Sequence, residues 1–175
     1  MCLEAIKDLF TYLPQSKSNP NDANVRTKLF LACYSSLFPF LYTGGVGLSH
    51  SIGHAIGATY AIPHGITSCL SLSPTVHFKA SNPIEAKQIA RIVPYIGKQS
   101  TGSDEKDSHI VGDAIAELVE TLGHKTTLTA VSALPMLPKL STDNHSVQRS
   151  HWRGRRGGNC NTCASQQRAQ RLCQL

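Results

Sequence analysis

The chain has 175 residues, 41% of them hydrophobic, and a formal net charge of +6. That length suits one domain able to bury a core without disulfides or metals, and the longest apolar stretch, 29–42, is broken by serines and Pro39 and falls short of a bilayer span. The charge is uneven: residues 1–140 carry +1 and residues 141–175 carry +5, from six Arg against Asp143 alone, so any attraction to nucleic acid would reside in the tail.

The start, "MCLEAIKDLF", lacks the basic and apolar regions of a secretory leader. Cys2, Cys33 and Cys69 stand singly in apolar helical contexts, where a thiol acts as a small buried hydrophobe. Both observations predict a cytoplasmic protein.

Leu3, Ile6 and Phe10, with Ala5 and Leu9 beside them, predict a helix over 2–12 closed by Pro14. After "PQSKSNPND", Asp22 is a good N-cap, and Val25, Leu29, Cys33 and Leu37 predict a second helix running to about Pro39. "YTGG" breaks it. A third helix begins near Val46, with Gly57 and Pro63 marking its end, and a fourth opens on Pro63, followed by the apolar run Ile66, Leu70, Leu72 and Val76. "ASNPIEAKQIARIVPYIG" reads as a fifth helix entered through Ser81 or Asn82, with Pro83 at its first turn and Ile84, Ile89, Ile92 and Val93 along it. "SDEKDSHIVGDAIAELVETLGH" reads as a sixth, acidic at its start and followed by Gly123 where a C-cap glycine belongs. "TTLTAVSALPML" is a loop or one helical turn.

No alternating strand pattern and no phosphate-binding glycine loop appear. The expected architecture is an all-α helical body over 1–138 and a basic tail over 139–175. The tail is poor in apolar residues and without period, so disorder is predicted. Its composition also reads like coding sequence translated in another frame.

The chemistry concentrates in "GLSHSIGHAIGATYAIPHG", residues 47–65, which holds three of the eight histidines. His50 and His54, four apart, share a helix face with Cβ atoms about 5–6 Å apart. Seven residues lead from Gly57 to His64, enough to bring His64 over that face. Neutral imidazole suits zinc and iron, and Gly47, Gly53 and Gly57 thin the helix surface for close approach. Three core histidines bonded to backbone or water are the alternative, and no carboxylate ligand stands nearby: Glu4 and Asp8 belong to a solvent-facing helix side.

The stretch "GLSHSIGHAIGATYAIPHGITSCLSLSP" resembles the iron-dependent (group III) alcohol dehydrogenase family, particularly its maleylacetate reductase branch. The shared pattern is G-x-x-H-x-x-x-H-x-x-G followed by P-H-G, and a looser similarity covers about residues 1–135. The resemblance implies a dehydroquinate synthase-like helical domain holding a divalent metal, Fe2+ or Zn2+, beside a separate domain for NAD(P). It implies His50 and His64 as metal ligands. His54 would face the nicotinamide as the cofactor-binding and catalytic residue, in proton relay. The substrates implied are small alcohols and carbonyl compounds.

The family's other two ligands, an Asp and a His four residues apart, lie farther before the motif than the forty-nine residues ahead of His50 reach. The nucleotide domain has no counterpart either, which predicts a fragment of an oxidoreductase, inactive alone. Two other readings stand beside it. One is a non-catalytic helical protein that associates with itself or with full-length relatives. The other is metal or nucleic-acid binding by "HWRGRRGGNCNTC", where Cys160, Cys163 and His151 would ligate and Trp152, Arg153, Arg155 and Arg156 would contact phosphates and bases. One C-x-x-C is half a zinc site, and Cys173 lacks a fourth partner.

Overall fold

The computed structural model describes residues 1–38 and 47–132. The expected end of the second helix at Pro39, the "YTGG" break, the boundary near residue 138 and the whole basic tail with its C-x-x-C lie outside the described residues.

The described residues are all-α. They form α1 (Cys2–Ser18), α2 (Ala23–Ser36), α3 (Leu48–Tyr60), α4 (His64–Lys79), α5 (Pro83–Ala90), a 3-10 turn (Val93–Ile96), α6 (Asp104–Thr121) and the short α7 (Leu128–Ser132). α1 packs on α2 and α3 on α4, each as a helical hairpin, while α6 packs on both α4 and α5. The 3-10 turn lies against α1 and α6 and inserts Val93, fully buried, between them. No helix among the described residues is long and apolar enough to cross a membrane.

Asp22 caps α2 as the sequence predicts, its carboxylate accepting from the amides of Asn24 at 2.9 Å and Val25 at 3.1 Å, a contribution of about 1 kcal/mol. Asn82 caps α5 in the same way, with Pro83 behind it. α6 ends on Gly123, whose φ of 79° is the left-handed conformation that favours glycine.

Elsewhere the structure corrects the reading. α1 does not stop at Pro14 but continues to Ser18: proline forfeits one hydrogen bond, and the extra turn lets Lys17 donate to the Thr121 carbonyl at 2.7 Å, tying α1 to the end of α6. The fifth predicted helix divides after Ala90, because the Pro94 ring would meet the carbonyl four residues back. The chain then tightens into the 3-10 turn and leaves it through Gly97 at φ 72°.

The apolar runs that mark α2 and α4 coincide only partly with their buried faces. On α2, Val25 and Ala32 are buried, whereas Leu37 and Cys33 are exposed, as are Phe30 and Tyr34. On α4 the buried residues are Thr67, Ser71, Ser73 and Thr75, while Leu72 is exposed. Small hydroxyl side chains allow closer helix approach than leucines do, and their hydroxyls bond back to the helix, as Ser71 does to the Thr67 carbonyl at 2.8 Å. No buried side-chain polar atom among the described residues lacks a partner.

Candidate metal centre

The three histidines are assembled by the turn between α3 and α4. α3 passes through Gly57, predicted as its stop, and ends at Ala61, which takes the left-handed conformation at φ 52°. The Ile62 amide then donates to the Gly57 carbonyl at 3.2 Å. A Cβ at position 57 would lie 3.3 Å from the Ile62 carbonyl oxygen, so glycine here serves the close turn and not termination. Ile62 is buried, and Pro63, extended at ψ 137°, sets His64 as the first residue of α4.

The two helices touch at Gly53. A Cβ there would stand 2.9 Å from Thr67 Oγ1, and Thr67 is fully buried with its hydroxyl donating to the His64 carbonyl at 2.8 Å. Ser49 and Ser71 join the same faces through a hydroxyl pair at 2.8 Å. Glycine and hydroxyl packing, together with the buried Ile62 of the turn, therefore fix the position of His64.

The result is a compact triangle. Ring centroids lie 4.7 Å apart for His50 and His54, 4.6 Å for His50 and His64, and 5.1 Å for His54 and His64. One nitrogen from each ring can be chosen so that all three lie within 4.8 Å of one another. A four-coordinate zinc with bonds of about 2.0–2.1 Å places its nitrogens about 3.3 Å apart, so modest ring rotation closes the set around an ion. His50 is half-buried while His54 and His64 are exposed, which leaves one side of the triangle open to solvent.

The electrostatics suit a ligand set. Burial, followed by the neighbouring charges of His64 and His54, holds the His50 imidazole below its usual range, and only the neutral ring can ligate. Glu4 is exposed and engages Lys7 at 3.6 Å, so it contributes nothing to the triangle.

A second histidine group escaped the sequence reading. His77 on α4 meets His109 on α6 with Nδ1 atoms 2.8 Å apart, and His77 Nε2 lies 3.4 Å from Asp113 Oδ1. Thirty-two residues separate the two rings in sequence, so no local spacing announces them; only the α4–α6 crossing does.

Asp107, one of the acidic residues at the head of α6, is buried instead of facing solvent. It accepts from the Ser100 hydroxyl, from the Thr101 amide at 2.8 Å and from the Thr101 hydroxyl at 2.7 Å. The Ser100 bond first, then those from Thr101, hold its carboxyl below the usual carboxylate range.

Comparison with known proteins agrees with the motif. The sequence profile "Fe-containing alcohol dehydrogenase family, C-terminal" matches residues 1–134. The 1-propanol dehydrogenase PduQ of Citrobacter freundii is 34% identical over 89 residues, covering 50% of this chain and 24% of that protein. The NAD-dependent methanol dehydrogenase of Bacillus methanolicus is 32% identical over 101 residues, 57% of this chain and 26% of that one. A maleylacetate reductase of Sphingobium indicum is 30% identical over 90 residues, 51% and 25% respectively. The chain thus spans about a quarter of the length of these relatives. No solved structure matches it significantly. With 134 of its 175 residues under the family profile and the three histidines of the motif gathered at one turn, the chain belongs to the iron-containing alcohol dehydrogenase family, in its C-terminal region.

Proposed function

We propose that this chain is the metal-holding part of an NAD(P)-linked oxidoreductase acting on small alcohols or on carbonyl compounds such as keto acids. The observation that supports this most is the His50, His54 and His64 triangle, with nitrogens within 4.8 Å of one another. His50 and His64 hold Fe2+ or Zn2+. A divalent ion so held polarises an alcohol or carbonyl oxygen for hydride exchange with a nicotinamide.

The residues of this chain have separate tasks. His50, half-buried and disinclined to take a proton, offers a neutral nitrogen from the α3 face. His64 is carried to it by the Ala61–Pro63 turn. His54, exposed at the open side, faces the nicotinamide and relays a proton to or from the reacting oxygen. The near-equal ring spacings also favour a second reading, in which His54 supplies a third nitrogen to the ion.

Two neutral imidazoles are fewer than the three or four protein ligands of a catalytic metal. The remaining ligands and the nucleotide cradle come from a nucleotide-binding region, in the same polypeptide or another. The test is turnover. The purified chain, loaded with Fe(II) or Zn(II), is assayed for NAD(H)-dependent oxidation of 1-propanol and reduction of a keto acid. Absence of turnover is the expected result; robust turnover by the chain alone overturns this division of labour.

A further inference from the structure

We propose a second divalent-metal site at the crossing of α4 and α6, where His77 Nδ1 and His109 Nδ1 ligate a zinc-class ion and Asp113 orients His77. It stands independently of the first triangle: thirteen residues of α4 separate His77 from His64, about 20 Å of helix.

The geometry begins with a glycine. A Cβ at position 112 would lie 2.7 Å from His77 Nε2, so Gly112 is what lets the His77 ring lie on the backbone of α6. His109 and Asp113, four apart on α6, flank the ring on one helix face. The two imidazoles meet edge to edge and nearly coplanar, with a centroid separation of 5.1 Å and 24° between planes.

Proton accounting then distinguishes the nitrogens. Nδ1 atoms 2.8 Å apart leave room for one hydrogen between them. If His77 carried it as a neutral ring, its bare Nε2 would face the Asp113 carboxylate at 3.4 Å, lone pair against anion. With both rings neutral, the arrangement that satisfies every partner has His109 Nδ1–H donating to His77 Nδ1, while His77 Nε2–H points at Asp113. This leaves the His77 Nδ1 lone pair aimed at its neighbour, with a carboxylate fixing the tautomer behind it, the arrangement found behind metal-bound histidines.

An ion enters by replacing that one hydrogen. His109 shifts its proton from Nδ1 to Nε2 through solvent, remains neutral and turns its Nδ1 lone pair inward, so no net proton is released and nothing is oxidised. Metal–nitrogen bonds of about 2.0–2.1 Å at a tetrahedral angle require the two Nδ1 atoms to move apart by about 0.5 Å and the rings to tilt until both lone pairs converge on the ion. His77 has a side-chain exposure of 34% and Asp113 of 70%, so water reaches the site and completes the coordination. Two imidazoles with a carboxylate in the outer shell suit Zn2+, Cu2+ or Ni2+, not Mg2+ or Ca2+.

The test uses the full chain with His50→Ala, His54→Ala and His64→Ala combined, titrated with Zn(II) by calorimetry. Adding His109→Ala to that background should remove one zinc equivalent. Asp113→Asn should keep the stoichiometry and weaken binding about 10- to 100-fold, as loss of an orienting carboxylate does. Unchanged stoichiometry on His109→Ala overturns the proposal. Should the combined variants fail to fold, the histidine Cε1–H resonances of the unmodified chain decide: zinc should shift those of both His77 and His109, and resonances that stay fixed at saturating zinc overturn it.

Discussion

The α1–α2 and α3–α4 hairpins are built from the same parts, two helices and a short connection, and are held together differently. Between α1 and α2 the buried residues are Ala5, Val25 and Ala32, an ordinary apolar contact whose area of burial is what stabilises it. Between α3 and α4 they are Gly53, Thr67 and Ser71, with Ser49 hydrogen-bonded across. Apolar burial is non-directional; a glycine packed against a hydrogen-bonded threonine also fixes distance and orientation, and the second hairpin is the one that carries three histidines.

The substitution that should separate the two most sharply is Gly53→Val. Its side chain would enter the space of Thr67 Oγ1, where even a Cβ stands at 2.9 Å, and such overpacking costs about 1–3 kcal/mol. Denaturant unfolding should show that loss, and metal affinity should fall with it because Thr67 also holds the His64 carbonyl. A small-to-large change on the α1–α2 side, such as Ala32→Val, should destabilise without altering metal affinity.

A smaller effect is expected where α6 begins. Asp107 has its carboxyl lowered, so its contribution is full above about pH 3.9, the ordinary carboxylate value, and is lost as pH falls through the lowered one. Asp107→Asn should reduce stability at neutral pH and flatten the acid limb of the stability curve, because the amide cannot accept from the Ser100 and Thr101 donors as the carboxylate does. An unchanged acid limb would show that the loop is held by something else.

The connection of the histidine hairpin should improve on substitution. Ala61 pays the penalty of a left-handed residue with a Cβ, φ 52°, at about 1–2 kcal/mol. Ala61→Gly removes it and adds unfolded-state entropy, a net gain of about 0.5–1 kcal/mol. Thermal melts should show the rise, with metal affinity unchanged.

The smallest expected effect is a pH limb at His50. Its lowered imidazole value means that the unfolded chain takes up this proton first, near pH 6.5. Stability without metal is therefore intact above about 6.5 and declines as pH falls from there through the folded value. His50→Ala should remove that decline; a decline that survives belongs to another group.

The sequence carried the motif and most helix positions, for identifiable reasons. Asp22, Asn82 and Gly123 are local signals whose hydrogen bonds or backbone angles do not depend on distant residues, and the spacing of His50 and His54 is likewise a property of one helix. What escaped was decided by contacts across the chain. Pro14 looks like a stop in the sequence because the bond from Lys17 to Thr121 is invisible locally. The apolar run Ile66, Leu70, Leu72 and Val76 marks α4 as a helix but does not show that its hydroxyl face is the buried one, which depends on close approach to Gly53. The His77–His109 pair exists only where two helices cross, and the left-handed Ala61 replaced the more obvious glycine four residues earlier.

The central claim, that the α3–α4 turn builds a metal site from His50 and His64, is tested most directly by titrating Co(II) into the full chain and following its d–d absorption. His50→Ala and His64→Ala should each weaken the band-forming site at least about tenfold, the least expected for loss of a direct ligand when outer-shell losses alone reach 10- to 100-fold. His54→Ala should leave its affinity unchanged if that ring faces the nicotinamide, and weaken it equally if it is a third ligand. Binding that is the same in the unmodified chain, His50→Ala and His64→Ala would contradict the claim.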